Sequence, residues 1–569
     1  MQLSTPRVRE SFRFDPSRLL FALAVVVLAI LVIVPLGWLL AISVQTADSG
    51  KLTFHNYLEA FTTSIYLRPI LNSLGLAVCV ATLAVIFGAP LAWLLARTNV
   101  PGRKIMRALV TAAFVTPSFI GAEAWIMLAA PNSGWLNRGF VALTHALHGP
   151  LNIFTFSGAV FVMALYNIPY TFTFVAGALE LLPAELEDAS STLGASAWHT
   201  MTRVTLPLVA PAIIGGFIMS FLEALAEFGA PAFLLIPARI QVVTTQLYLF
   251  FQFPVRTELA AAYAMPLLGI TIGLLLLQRR ILGRKKYTVV GGKGARTRLV
   301  ELGSLRWPLF ALAFSVPLCS VFLPYLTLLS TSLSRAWSNG PLGSNFTLYW
   351  YGWAVLDNAD TRAAIVHSLT YGALAATAAT TIAFLIAYMV NRKLFPGVGL
   401  LSIVCMAPFV VPGIVLAIGI YAAYSHPPVA LYGTAAILVI AFTTRFLPIA
   451  YSNLNTMIGA INPDLENAAR TLGASRIRAL WTVTGPLLRR GVLASWLLVF
   501  IPAIRELSSA IFLFTPRTAT MTTQIFDFSD AGNYEAVATL AVVILAITLT
   551  IVSLAYRLLG RDFTSNGRL

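Results

Sequence analysis

Six ionisable residues stand inside stretches that are otherwise apolar: Glu123, Glu223, Glu227, Arg445, Arg505 and Glu506. A charge within a hydrocarbon-length segment is costly, so each is a candidate for function. Their types suit electrostatic work, either attracting a cation or holding a gate through bonds to neighbouring amides. Glu227 and Glu506 form the best pair, because they are separated by 279 residues, the same offset that relates a repeated loop elsewhere in the chain. Together with Arg505, the obvious local partner of Glu506, they are the candidate residues of a pathway or gate. Arg445 is expected to pair within the bundle or to lie near the inner interface. Glu223, one helical turn before Glu227, and Glu123 are secondary candidates. His55, His145, His148, His199, His367 and His426 are scattered and form no ligand set, and Cys79, Cys319 and Cys405 lie singly in apolar runs. No nucleophile, base or metal constellation converges, so the chain is expected to catalyse no covalent chemistry and to hold neither metal nor cofactor.

The elements that must position these residues are membrane helices. The chain has 569 residues, 58% hydrophobic and 11% charged, with mean hydropathy +0.82; soluble domains carry about 25% charged residues. Apolar segments long enough to cross a bilayer as helix fall near 19–44, 70–96, 108–130, 155–180, 206–228, 258–278, 307–332, 364–390, 398–424, 431–455, 487–513 and 536–556. The fold class is therefore all-α and polytopic, with about twelve transmembrane helices. With both termini inside, the inner segments, counted with Arg489 and Arg490 at the inner end of the eleventh span, hold 28 of the 38 Lys and Arg residues and the outer loops 8, which follows the positive-inside bias. That placement turns the net charge of +16 away from nucleic acid and toward the bilayer. The densest cluster, nine basic residues from Arg279 through Arg306, suits anionic headgroups. Arg7, Arg9, Arg13 and Arg18 precede an apolar run of about 26 residues, longer than a cleavable signal core and without a small-residue cleavage site, so the first span is expected to stay as an anchor.

The chain is duplicated. Thr-Leu-Gly-Ala-Ser occurs at Thr192–Ser196 and at Thr471–Ser475, and Gly194 to Gly473 and Pro207 to Pro486 are both 279 residues apart. Pro169 with Pro448 and Glu187 with Glu466 keep that offset, whereas Arg97 and Arg392, which close the second and eighth spans, pair at 295. The first half is thus about 16 residues longer, and the insertion falls in the outer segment around Pro131–Thr155. The expected division is a first half at 1–285, a basic linker at 286–305 and a second half at 306–569. Six spans per half make the repeats parallel, which disfavours inverted-repeat transporter folds but leaves a parallel six-plus-six secondary transporter as a rival. A membrane scaffold is a further alternative.

Each repeated loop starts with proline followed by acidic residues, a helix-start signal. Leu182-Pro183-Ala184-Glu185-Leu186-Glu187-Asp188 precedes the first pentamer and Asn462-Pro463-Asp464-Leu465-Glu466-Asn467 the second. A short helix, a glycine bend and a second short helix leading into the next span are predicted. These loops resemble the EAA loop of bacterial binding-protein-dependent ABC importer permeases, which runs Glu-Ala-Ala, three residues, Gly, nine residues, Ile-x-Leu-Pro. On that spacing the first copy supplies Asp188-Ala189-Ser190, Gly194 and Val204-x-Leu206-Pro207, and the second Asn467-Ala468-Ala469, Gly473 and Val483-x-Gly485-Pro486. The first acid is degenerate, and Glu187 and Glu466 one residue earlier are candidates for its role. The resemblance implies that both loops dock a separate ATPase, two copies to one permease, in the bacterial inner membrane, with a periplasmic binding protein delivering cargo. Gly291-Gly292-Lys293-Gly294 lacks the phosphate-loop pattern. Fused permeases of this length resemble ferric iron importer permeases, with thiamine, polyamine and aminoalkylphosphonate relatives, and Pro117–Ala122, Glu227–Ala230 and Arg505–Leu507 fit that group.

Overall fold

A computed structural model describes residues 16–47, 50–283, 299–339 and 343–559. Arg7, Arg9 and Arg13, the basic cluster from Arg284 to Arg298 and the Gly291–Gly294 segment lie outside them. Among the described residues the elements are helices and turns, and the few β-bridges are isolated. Ten of the described helices are long and apolar enough to cross a membrane, and two bent helix pairs pass the same test when each pair is taken as one span. Prolines within them, such as the repeat-related Pro169 and Pro448, are tolerated because packed neighbours re-satisfy the freed backbone groups.

The two bent spans depart from the continuous helices expected at 108–130 and 398–424. The third span is Arg103–Val115 followed by Ser118–Ala129, turned by 99°, and the ninth is Gly399–Phe409 followed by Gly413–Tyr424, turned by 110°. Pro117 and Pro412 sit at the two corners. Proline offers no N–H and pushes the residue before it out of helical geometry, and Thr116 is accordingly extended at φ −88°, ψ 118°.

The fifth and eleventh spans are shifted toward the repeated loops. Instead of 206–228 and 487–513, the helices run Trp198–Ala226 and Arg476–Ala503. Each absorbs the segment before its proline through a single π-helical turn, Met201–Thr205 and Leu480–Thr484. Widening the turn accommodates Pro207 and Pro486, whose rings would crowd an α-helical carbonyl behind them. At the far end each helix stops within the bundle. Glu227 is extended at φ −73°, ψ 133°, and short helices, Gly229–Leu235 and Ala510–Leu513, follow.

The first and seventh spans cross over. Thr444 donates to the Leu31 carbonyl at 3.2 Å and the Tyr424 hydroxyl donates to that of Ile30, so the first span is seated on helices late in the chain. Reciprocally, the Trp125 indole donates to the Cys319 carbonyl at 3.2 Å, and the hydroxyls of Thr116 and Tyr325 meet at 2.7 Å. One apolar core runs through both sets of helices. Between the third and fourth spans the longer connection forms a helix, Trp135–Thr144. Buried Asn137 pins it by donating to the Leu151 carbonyl at 2.7 Å and accepting from the Leu151 amide at 2.9 Å.

Candidate functional site

The repeated loops fold alike. The first is a helix Ala184–Thr192 with Glu185 and Glu187 in its first turn, and the second a helix Asp464–Thr471 with Asp464 and Glu466 there, each on the favourable side of the helix dipole. Both end on a left-handed glycine, Gly194 at φ +81° and Gly473 at φ +92°. The amides of Ala195 and Ala474 then return to the carbonyls of Ser190 and Ala469 at 3.2 and 3.1 Å. A Cβ at either glycine would meet nothing within 4 Å, so backbone conformation, not space, demands glycine. Short helices Ala197–Thr200 and Arg476–Ala479 then lead into the fifth and eleventh spans, as the spacing predicts.

Glu187 and Glu466 turn inward, toward their own bundle. Glu466 is buried and accepts from Arg392 Nη2 at 2.9 Å and Nε at 3.1 Å, from the Tyr388 hydroxyl at 2.9 Å and from the Thr484 hydroxyl at 2.6 Å. Burial alone would raise its pKa, but the bonds from Arg392, Thr484 and Tyr388 outweigh burial and hold the carboxyl below its ordinary range. Glu187 accepts from the Thr205 hydroxyl at 2.8 Å, and Arg97 Nε stands 3.6 Å away. Arg97 also donates to the Leu179 and Leu182 carbonyls at 2.8 and 3.2 Å, and Arg392 to the matching Ile461 carbonyl at 3.4 Å. Each loop is therefore tied, through one arginine and one threonine, to the end of one span and the start of another. The two knots are unequal. Trp93 stands where the second half has Tyr388, and buried Arg97 Nε and Nη1 make no hydrogen bond.

Of the other loop residues, Asp188 carries the Ser191 and Thr192 hydroxyls on its backbone carbonyl at 2.8 and 2.9 Å, and the Asn467 carbonyl likewise takes Thr471 at 2.9 Å. Ala189, Ala468 and Ala469 lie on the same two helices, and Pro207 and Pro486 mark the π-turns beyond them.

Inside the bundle, Glu227 and Glu506 are placed alike but paired differently. Each stands at a break and turns back to cap the next short helix: Ser509 N–H donates to Glu506 at 3.0 Å and Ala230 N–H to Glu227 at 3.5 Å. Thr244 and Thr522 hydroxyls donate to the two glutamate carbonyls at 2.8 and 2.9 Å. The ion partner of Glu506 is Arg445, at 3.0 Å, not the adjacent Arg505 expected from sequence. The eleventh helix has ended at Ala503, so consecutive side chains diverge. Arg505 instead donates to the Phe114 carbonyl at 3.0 Å and to that of Val115, where the break in the third span leaves carbonyls bare. Glu227 takes its bond from the Ser118 hydroxyl. Gly413 occupies the position equivalent to Ser118, and a Cβ there would lie 2.2 Å from Arg445 Nη1. The loss of one side chain thus makes room for the guanidinium that replaces the hydroxyl. Glu123 is fully buried, while Glu223 stays exposed on the fifth span.

Sequence reasoning passed over the roles of Arg97, Arg392, Tyr388, Thr205 and Thr484. The signal was present, because both arginines close their spans at one offset and both threonines precede a repeated proline.

The family described as the inner membrane component of binding-protein-dependent transport systems matches residues 84–287 and again 379–565. The chain belongs to this family, as a permease with both halves fused in one polypeptide. A ferric transport system permease protein of Actinobacillus pleuropneumoniae is 27% identical over 85% of this chain and 70% of its own length. A putative 2-aminoethylphosphonate transport system permease protein of Salmonella paratyphi A is 31% identical over 42% of this chain and 89% of its own. The crystal structure of a bacterial ABC transporter involved in import of the acidic polysaccharide alginate gives TM-score 0.38 at 18% identity, covering 48% of this chain and 97% of the other.

Proposed function

We propose that this ABC importer permease moves ferric iron inward across the bacterial inner membrane, powered by two copies of a separate ATPase docked on its two repeated loops. The observation that carries the docking is the pair of left-handed glycines, Gly194 and Gly473, each ending a short helix tied to two spans by an arginine and a threonine. A push on either helix is delivered to the bundle through these knots. The likeness to the ferric permease, which extends over 85% of this chain, supports iron. The phosphonate permease, similar over 42%, supports aminoalkylphosphonate as the second reading, and thiamine and polyamines remain in the same importer class.

On this reading the halves are residues 1–285 and 306–569 around a basic linker, and both termini are cytoplasmic. ATP binding closes the ATPase dimer and draws the loops together, and the bundle opens outward toward a docked periplasmic binding protein. Hydrolysis resets it. Glu227, Glu506 and Arg505 act at the gate: the breaks beside them are held by side-chain bonds to neighbouring amides and carbonyls, which must exchange for the pathway to open. The binding protein selects the cargo, so these residues gate and do not discriminate.

The test is uptake of labelled ferric iron in cells carrying wild type or the Gly194→Val/Gly473→Val double variant, with both proteins confirmed in the membrane. Uptake with wild type alone supports cargo and loops together. Equal uptake removes the docking assignment, and none with either removes iron and turns the screen to phosphonates, thiamine and polyamines.

A further inference from the structure

The two loops share a shape but not a charge. From Pro183 to Arg203 the first carries Glu185, Glu187, Asp188 and Arg203, a net charge of −2. From Asn462 to Thr482 the second carries Asp464, Glu466, Arg470, Arg476 and Arg478, a net charge of +1. Identical partner copies meet one exposed acid in common, Glu185 and Asp464 at the same offset, but opposite net charges around it, so net charge is not a feature by which one cleft could recognise both loops. Glu187 and Glu466 are already engaged with their own arginines.

What the loops present in common is apolar. Leu193 and Leu472, the residues just before the glycines, are 88% and 89% exposed. Leu186 and Leu465, seven residues earlier, are exposed as well. Residues seven apart lie on one face of a helix, so each loop offers a leucine pair two turns apart, the second leucine standing at the bend that the left-handed glycine creates. A single exposed leucine is ordinary on any protein. The same pair at one 279-residue offset, on loops whose charges have diverged, is not accounted for by chance exposure.

Resting on the docking reading above, we infer that Leu193 and Leu472 are the anchors of ATPase docking, each seated in an apolar socket of one ATPase copy, with Leu186 and Leu465 packing at the rim. The glycine fixes where the knob points, and the charged flanks tune encounter without setting affinity. Fully burying a leucine of this kind takes enough apolar surface out of water for its loss to be felt in affinity.

The experiment places the full-length permease in lipid nanodiscs and titrates it with the cognate ATPase, defined as the ABC-type ATPase whose hydrolysis wild-type permease stimulates. Leu193→Asp/Leu472→Asp is expected to weaken binding by about 100-fold or more, and Leu193→Met/Leu472→Met to bind within about threefold of wild type. Glu185→Gln and Arg470→Gln, which change flanking charge, are expected to stay within about threefold at physiological salt. The thermal midpoint of the aspartate variant alone should match wild type, because both leucines are exposed. Binding of the aspartate variant within about threefold of wild type would overturn the inference, as would equal losses in the charge variants. If Gly194→Val/Gly473→Val releases the ATPase while the aspartate variant does not, the docking reading stands and the leucine anchor fails. If the wild-type chain stimulates and binds no ABC-type ATPase, both fail.

Discussion

Replacing Glu466 by glutamine should loosen the second loop far more than the same change at Glu187 loosens the first. Glu466 takes four bonds, two from Arg392 and one each from Tyr388 and Thr484, all between 2.6 and 3.1 Å. Glutamine keeps the shape but removes the charge and one acceptor, leaving the nearly buried Arg392 guanidinium without its counter-ion. Hydrogen bonds to a charged group contribute about 1.5–3 kcal/mol each and neutral ones about half that, so the net cost is about 2–3 kcal/mol. Glu187 has one bond from Thr205 and an arginine nitrogen 3.6 Å away, so its replacement should cost about 0.5–1 kcal/mol. Amide hydrogen exchange of the permease in nanodiscs reads this directly. The helix Asp464–Thr471 should exchange about 30- to 150-fold faster in Glu466→Gln. The helix Ala184–Thr192 should change by less than about fivefold in Glu187→Gln. Equal acceleration of the two helices, or none in Asp464–Thr471, would refute the view that the knots are unequal and hold the loops.

The same knot sets a pH response. The folded pKa of Glu466 is lowered, so its contribution is full above the ordinary carboxylate range and is lost as pH falls through the folded value. Protection of Asp464–Thr471 should hold from pH 8 to about 5 and decline below about 4.5, a decline that Glu466→Gln abolishes. At Gly473, φ +92° with open space around the Cβ position predicts a conformational penalty of about 1–2 kcal/mol for Val but less for Asn, so loop exchange should rank Val faster than Asn and Asn faster than Gly. Gly413→Ala should displace the Arg445 guanidinium, whose Nη1 would lie 2.2 Å from the new Cβ, and so separate it from Glu506. A loss of about 1–3 kcal/mol in permease stability is expected, and an unchanged thermal midpoint would contradict the packing described.

Much of the architecture was legible because membrane helices announce themselves by composition. All twelve apolar segments correspond to spans or bent pairs, and the loop helices and glycine bends fall at the repeated motif. The corners in the third and ninth spans were not anticipated although Pro117 and Pro412 were in view, because hydropathy reads how apolar a stretch is and not its direction. Second short helices were expected after the pentamers, but not their continuity with the fifth and eleventh spans, because a proline between them read as a boundary, whereas packing and a π-turn carry each helix through from Trp198 and Arg476. Pairing Arg505 with Glu506 followed adjacency. The true partner, Arg445, lies 61 residues away and depends on space left by a glycine in yet another span, which no local pattern encodes. Conversely, the offset of 295 between Arg97 and Arg392 held the clue to the two knots, but only the fold brings those arginines to Glu187 and Glu466.

The central claim is that one polypeptide offers two ATPase docking loops, and native mass spectrometry of the complex from nanodiscs tests it most directly. Wild type should carry two ATPase copies, Gly194→Val or Gly473→Val alone one, and the double variant none. A single copy on wild type, or two on the double variant, would contradict the account.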